Sequence, residues 1–380
     1  MDDGIVYLDY NATTPVDKRV IQEMLPYFEE YYANASSNYD FSKKSKFILD
    51  EARLEIAETF GTEKRQIYFT SGATEGLNLA LKGLALNPGN NKKHIITCST
   101  EHKAVLEICI YLESIGYEID YLPVNRDGSL DLELLKSTIR QDTLLICLMW
   151  VNNETGLIHP IKEIGKIAKE SGVYFVCDAT QGVGKLAVDV EESNIDILCF
   201  SGHKMYAPKG IGGLYINSSI TKQNKIQPLI HGGGQENGMR GGTYNIPLIA
   251  GLKKAFEIAK MEMKENESVL TQLRNTVESQ LLKINNAYIN CGNAERIYNT
   301  VNVCIPDFDT ELFIGMNKNI AVSNGSACTA GLVQPSHVLS TMGLSNEDAL
   351  GSIRISMGRN TTDKDIFVFM ERIHQFMRNV

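Results

Sequence analysis

IDILCFSGHKMYAPKGIGGLYI, residues 195–216, is the stretch from which the rest of the chain can be read. Its first part, residues 195–200, is a mainly apolar run that predicts a buried strand. The run ends in Ser201-Gly202-His203-Lys204. Gly210, Gly212 and Gly213 then lead into a second apolar run, residues 214–216. A lysine at the mouth of a buried strand is costly to place. Burial disfavours its charged form, and the same burial leaves a nucleophilic amine able to condense with a carbonyl. For the tetrapeptide alone, a lysine snorkelling to solvent is the plainer reading.

The same unit recurs upstream. Residues 173–177 form an apolar run with Asp178 at its exit and Gln181 just beyond. A carboxylate closing such a strand needs a cation or a hydrogen-bond donor. Residues 144–150 form another strand, followed by the polar loop Asn152-Asn153-Glu154 and a helix over 161–171. In KHIITCSTEHKAV, His102 stands where a strand gives way to a helix. A capping or surface histidine is the commoner role there. QIYFTSGATEGLNLALKGLAL reads as a strand at 67–69, a small-residue turn at 70–74 and a helix from Glu75. Free N–H groups and the helix dipole could hold an anion at that turn; a plain N-cap is the simpler local reading.

Strands joined by helices from about residue 67 to 216 predict a mostly parallel sheet covered on both faces. Thr74, His102, Asn153, Asp178, Gln181, Ser201, His203 and Lys204 all fall at strand ends. In such folds, ligands bind at the carboxyl edge of the sheet, so these residues are expected to form one active-site rim.

Outside this region, Thr14-Pro15 predicts a helix start. Ser42 is expected to cap a helix with an apolar face of Phe47, Ile48, Ala52, Ile56 and Ala57, ending at Gly61. The glycine-rich LIHGGGQENGMRGGT, closing at Thr243, suits contact with an anion or a neighbouring subunit. A long helix from Ile246 past Leu281 leads to a smaller unit of alternating strands and helices. The expected division is a large α/β domain over 15–257 and a small α+β domain from 1–14 and 258–380.

The chain has 380 residues, 43% of them hydrophobic and 22% charged, with a formal net charge of -9. That balance argues against a basic footprint for nucleic acid or an anionic membrane. No apolar run reaches membrane-spanning length, and MDDGIVYLDYNATTP lacks a signal-peptide core. A cytoplasmic chain is expected. Of its eight cysteines, Cys98, Cys109, Cys147, Cys177, Cys199 and Cys304 sit in apolar patterns and read as small buried hydrophobes. Cys291, beside Gly292, is ambiguous. Cys328, in SNGSACTAG, has only small or polar neighbours. It is expected to be exposed on a mobile loop, where a nucleophile could travel. Arg354, inside the alternating strand SIRIS, calls for a carboxylate from a substrate or from another side chain.

In order, YFTSGATE, TEHKAV, VNNETG, DATQGVGKL, FSGHKMYAPKGIG, HGGGQENGMRGGT and SNGSACTAG resemble the NifS/IscS-type cysteine desulfurases. These belong to the class V aminotransferase family of pyridoxal-phosphate enzymes. The resemblance runs nearly end to end and implies a fold-type-I transferase. It implies that Lys204 carries pyridoxal phosphate, Asp178 pairs with the ring nitrogen and Gln181 bonds the ring hydroxyl. His102 would stack on the ring and shuttle protons. Ala73, Thr74, Ser201 and His203 would bind the phosphate, joined by Thr243 of the partner subunit in a homodimer. Asn153 and Arg354 would hold the substrate carboxylate, with Asn34 near them.

The resemblance further implies that the Cys328 thiolate takes sulfur from L-cysteine. L-alanine would leave, and the persulfide would pass to an iron–sulfur scaffold or a tRNA-thiolation protein. No firm metal site is implied, although Cys328 stays open as a transient iron–sulfur ligand. Two departures stand out. Where the family has a Pro and then a His after Asn34, this chain has Ala35, Ser36, Ser37, Asn38 and Tyr39, which leaves the contacts of residues 34–40 open. The final helix ends at Val380, without the longer tail that some relatives use to dock a scaffold. SGHK and DATQ alone also allow a selenocysteine lyase or another class V enzyme. An inactive scaffold for sulfur-transfer partners is the alternative outside enzymes.

Overall fold

The computed structural model describes residues 4–325 and 334–379. In chain order its strands are β1 (Val6–Tyr7), β2 (Ile67–Thr70), β3 (His94–Cys98), β4 (Glu118–Leu122), β5 (Thr143–Met149) and β6 (Tyr174–Asp178). They continue with β7 (Ile197–Ser201), β8 (Gly212–Ile216), β9 (Tyr288–Ile289), β10 (Thr300–Cys304), β11 (Ile320–Ala321) and β12 (Ser352–Ser356). Among the described residues, β2-β8-β7-β6-β5-β3-β4 form one seven-stranded sheet. From β7 through β4 the pairings are parallel; β8 runs antiparallel to both β7 and β2.

The inner strands lack polar alternation because helices cover both faces. On β7, Leu198 and Phe200 belong to one buried cluster, and Ile197 and Cys199 to the other. On one face, Phe200 meets Phe60 and Phe256 edge-on, with centroids 5.6 and 5.4 Å away. These rings join the helices Lys43–Phe60 and Ile246–Leu281 to the sheet. The opposite face is covered by the helices Ala73–Ala85 and Lys103–Ser114.

The register positions the site. Ser201 on β7 pairs with Gly212, which pairs with Thr70 on β2. The turns after β2 and β7 therefore leave the sheet side by side. The parallel strands β3, β5 and β6 send their following loops to the same edge. A second sheet, β12-β10-β9, comes from later in the chain, and β11 from that part pairs in parallel with β1 from its start.

Several local expectations needed correction. The first helix is Lys18–Met24, capped by Asp17 and not begun at Thr14-Pro15. Thr14 instead bonds the His203 carbonyl through both its amide and its hydroxyl. Ser42 occupies the N-cap position of Lys43–Phe60, but its hydroxyl donates to the Ser37 and Tyr39 carbonyls. Ile48, Ala52, Ile56 and Ala57 are buried as expected, whereas Phe47 is exposed. The helix after β2 starts at Ala73, two residues before Glu75. Cys291, ambiguous by sequence, is buried with the six other described cysteines.

Candidate active site

A cavity of about 640 Å³ opens at the carboxyl edge of the central sheet. Ala73, Thr74, His102, Asn153, Asp178, Gln181, Ser201, His203, Lys204 and Arg354 all line it. Residues from Ala73 to Arg354 thus meet at one place: the loops leaving one edge of the central sheet supply all of them but Arg354, which comes from β12 of the second sheet.

β7 is buried throughout and ends at Ser201. Gly202 opens the turn Gly202–Lys204, where an added Cβ would press on Ala207 and the Ile211 carbonyl. That tight turn brings Lys204 back over the cavity. Its Nζ donates to the carbonyls of Asn11 at 2.6 Å and Ala12 at 2.7 Å. Burial, followed by the Arg354 guanidinium, pulls the amine down to about 8, against Asp9 and Asp178. Near neutrality a useful share of it is a free base.

Asp178 ends β6. Its Oδ1 accepts from the Thr180 amide at 3.0 Å and the Thr180 hydroxyl at 2.5 Å. Oδ2 makes no hydrogen bond among the described residues, so it is open to a cationic N–H. His102 is the N-cap of Lys103–Ser114, and its Nδ1 accepts from the Ala104 amide at 3.0 Å. Burial holds the ring below the ordinary imidazole value, with Asp178 pulling the other way. A neutral ring bonded in this way carries its proton on Nε2. Burial and the neighbouring lysines bring His203 down to about 4, leaving it neutral; its Nδ1 lies 3.1 Å from the Thr13 hydroxyl.

The helix Ala73–Ala85 begins at Gly72, which has no side chain to cap it. With φ at +155°, Gly72 lies in a region other residues seldom adopt. The uncapped first turn points its free N–H groups at the cavity beside Thr74 and Ser201, which makes an anion cradle.

Arg354, from β12, donates to Asp9 Oδ1 at 2.6 Å and to the Asn153 carbonyl at 3.2 Å. Among the described residues its buried Nε has no partner. The expected carboxylate is therefore present as a side chain, yet donor capacity remains for a ligand. A second cavity, of about 260 Å³, shares His102, Asn153 and Arg354 with the first. It is also lined by Ser323, Gly325 and residues 334–337.

Not every expected residue lines the main cavity. Asn34 is exposed and accepts from the Ser36 amide at 2.9 Å. Thr243 lines a separate cavity with Glu236 and Arg240. Cys328 lies outside the described residues. Sequence reasoning missed Asn11, whose carbonyl meets Lys204 and whose motif reads as a polar turn. It also missed the buried Glu101, Glu154 and Lys185. Glu101 stands beside the recognised His102, and Lys185 follows Gln181 in a quoted motif, so position alone could have raised both.

The family model "Aminotransferase class-V" matches residues 6–369. The chain belongs to the class-V aminotransferase family. Cysteine desulfurase IscS of Methanosarcina thermophila is 45% identical over 377 residues, covering 99% of this chain and 92% of that protein. The IscS of Rickettsia bellii is 46% identical over 366 residues, covering 95% and 88%. Among solved structures, a "NIFS-LIKE PROTEIN" superposes with a TM-score of 0.92 at 35% identity, covering 99% of this chain and all of that one. "SspA in complex with cysteine" superposes at 0.82 with 40% identity, covering 92% and 98%.

The cofactor of this class-V family is pyridoxal phosphate, and the residues present fit it. A buried amine answers its aldehyde, and a free carboxylate oxygen at a strand end answers its ring nitrogen. The glycine-started helix answers its phosphate. Among the described residues no His, Cys, Asp and Glu cluster could hold a metal ion, and no helix is long and apolar enough to cross a membrane.

Proposed function

We propose that this chain is a pyridoxal-phosphate-dependent cysteine desulfurase, which moves sulfur from L-cysteine to Cys328 and releases L-alanine. One observation carries the reading. Lys204, Asp178, His102 and Arg354 line one cavity, and both described stems of the Cys328 segment line the cavity beside it. Relatives named cysteine desulfurase, matched over nearly the whole chain, support the substrate.

When bound, pyridoxal phosphate supplies an electron sink for the substrate's Cα. Lys204 would hold it, and its amine, a base poised near neutrality, would take and return the Cα proton. Asp178 offers Oδ2 to the ring nitrogen, and His102 holds a proton at Nε2. Ala73, Thr74, Ser201 and His203 hold the phosphate, completed by Thr243 of the partner subunit in a homodimer. Arg354 and Asn153 orient the substrate carboxylate. The Cys328 thiolate attacks the substrate sulfur. An S–S bond forms, the Cβ–S bond breaks with its electron pair passing to Cβ, and protonation there gives L-alanine. The persulfide then passes to an acceptor protein for iron–sulfur assembly or tRNA thiolation.

The stem before Cys328 supports this delivery. Ser323 pairs with Arg354 through both backbone bonds, at 2.6 and 3.2 Å. The strand carrying the substrate-binding arginine therefore also anchors the thiol's segment. We also propose the division into 15–257 and 1–14 with 258–380; the departure of helix Ile246–Leu281 toward a separate sheet supports it.

The test is release of alanine and sulfide from L-cysteine with a thiol reductant. Lys204→Ala is expected to abolish both. Cys328→Ala is expected to lose sulfur transfer while still binding cofactor. Full activity in Cys328→Ala would point to a lyase or transaminase on the same frame.

A further inference from the structure

Lys185 lies behind the wall of the main cavity, buried and not lining it. Its Nζ donates to Gln181 twice, to Oε1 at 2.8 Å and to the backbone carbonyl at 3.1 Å. On its other side, Gln181 donates from Nε2 to the Asn11 carbonyl at 2.9 Å. Among the described residues Lys185 has no carboxylate partner. Burial, followed by the Lys204 charge, draws its amine down to about 7. A buried amine without a carboxylate costs stability, and both its hydrogen bonds are spent on one glutamine.

The turn between the two residues is shaped for this contact. A Cβ on Gly182 would overlap the Trp150 ring, and Gly184 has φ +78° with Met205 packed against it. Only glycine serves easily at such positions. The chain therefore reverses tightly, the Lys185 amide donates to the Gly182 carbonyl at 3.0 Å, and the side chain folds back onto residue 181.

The Lys185 amine donates to Gln181 Oε1 in this arrangement, and the Asn11 carbonyl oxygen, which Nε2 meets, can only accept. The Gln181 amide is thus oriented from both ends. Reversing it would set its NH2 against the lysine and its oxygen against the Asn11 carbonyl. One amide hydrogen is used on Asn11, and the second remains for the cavity. We propose that Lys185 is a positioning residue that locks the Gln181 amide with its NH2 toward the cavity, so that this wall recognises a ligand oxygen. The proposal rests on the assignment of that wall to the ring hydroxyl of pyridoxal phosphate.

The experiment measures equilibrium binding of two probes to the full chain stripped of cofactor. One probe is pyridoxal phosphate, and the other is its analogue without the ring hydroxyl. For Lys185→Met, pyridoxal phosphate should bind about tenfold more weakly, as for one hydrogen bond to a charged group, with the analogue unchanged. Gln181→Leu should show the same selective loss, and the double variant should be no worse than either single one. Lys185→Gln, which keeps a donor in the same place, should restore most of the preference and serves if the methionine variant does not fold. Equal weakening of both probes by Lys185→Met, or loss of the preference in Lys185→Gln, overturns the proposal. If Gln181→Leu discriminates between the probes but Lys185→Met does not, the lysine has no such role and the Gln181 assignment survives. If neither discriminates, the assignment of the wall itself fails.

Discussion

Lys204 brings two costs together: it loses hydration, and it faces Arg354 across the same cavity. The Asn11 and Ala12 carbonyls hold its ammonium form, and Asp9 and Asp178 favour the charge, yet burial wins and the amine sits near 8 and not near 10.5. Only the neutral amine attacks a carbonyl. Capture of pyridoxal phosphate by the stripped protein should therefore accelerate roughly tenfold per pH unit up to about pH 8, then level off. Stopped-flow absorbance would follow it, and a rise continuing to about pH 10 would mean an ordinary lysine. This lysine stood out in the sequence because an apolar run ends beside it. Its carbonyl partners did not, since they come from a turn about 190 residues away.

Among the elements, the helix Ile161–Glu170 shows where local preference and packing disagree. Ile161, Ile164, Gly165 and Ala168 are its buried stripe, at the spacing of one helical face. Helix propensity favours alanine over Gly165 by about 1 kcal/mol. A methyl there, however, would overlap the Ser193 carbonyl oxygen, which is backbone and cannot swing aside. Overpacking of this kind costs about 1–3 kcal/mol. Gly165→Ala should therefore lower stability by up to about 2 kcal/mol in denaturant titration, and a gain would show that the 193–194 turn yields. Ser42 and Phe47 teach the same lesson. Residue type placed them at a cap and on a core face, but the neighbouring loop took the hydroxyl and solvent took the ring.

Across the whole molecule, residues 8–14 stitch distant parts into one site. Leu8 and Tyr10 bond Ser356 on β12, and Asp9 pairs with Arg354 on the same strand. Asn11 and Ala12 hold Lys204, and Thr14 holds His203. The chain's beginning thereby ties the strand carrying Arg354 to the turn carrying Lys204. Breaking a largely buried ion pair costs about 3–5 kcal/mol. Asp9 keeps a fifth of its side chain exposed, so Asp9→Ala should cost nearer 3 kcal/mol of stability. It should also raise KM for L-cysteine at saturating cofactor, because Arg354 loses the partner that aims it. Loss of stability with KM unmoved would make the pair structural alone.

The sequence by itself determined the chain of strand–helix units, the sheet edge to which they point, and the polar residues that end each strand. Those follow from local periodicity, where the burial of one residue predicts that of its neighbours. Tertiary structure decided the carbonyl cage around Lys204, the Asp9 partner of Arg354, the orientation of Gln181 by Lys185, and the glycine at 165. Each depends on backbone or charge arriving from elsewhere in the chain, and a pattern with a period of two or of 3.6 residues carries no record of what the fold sets opposite it.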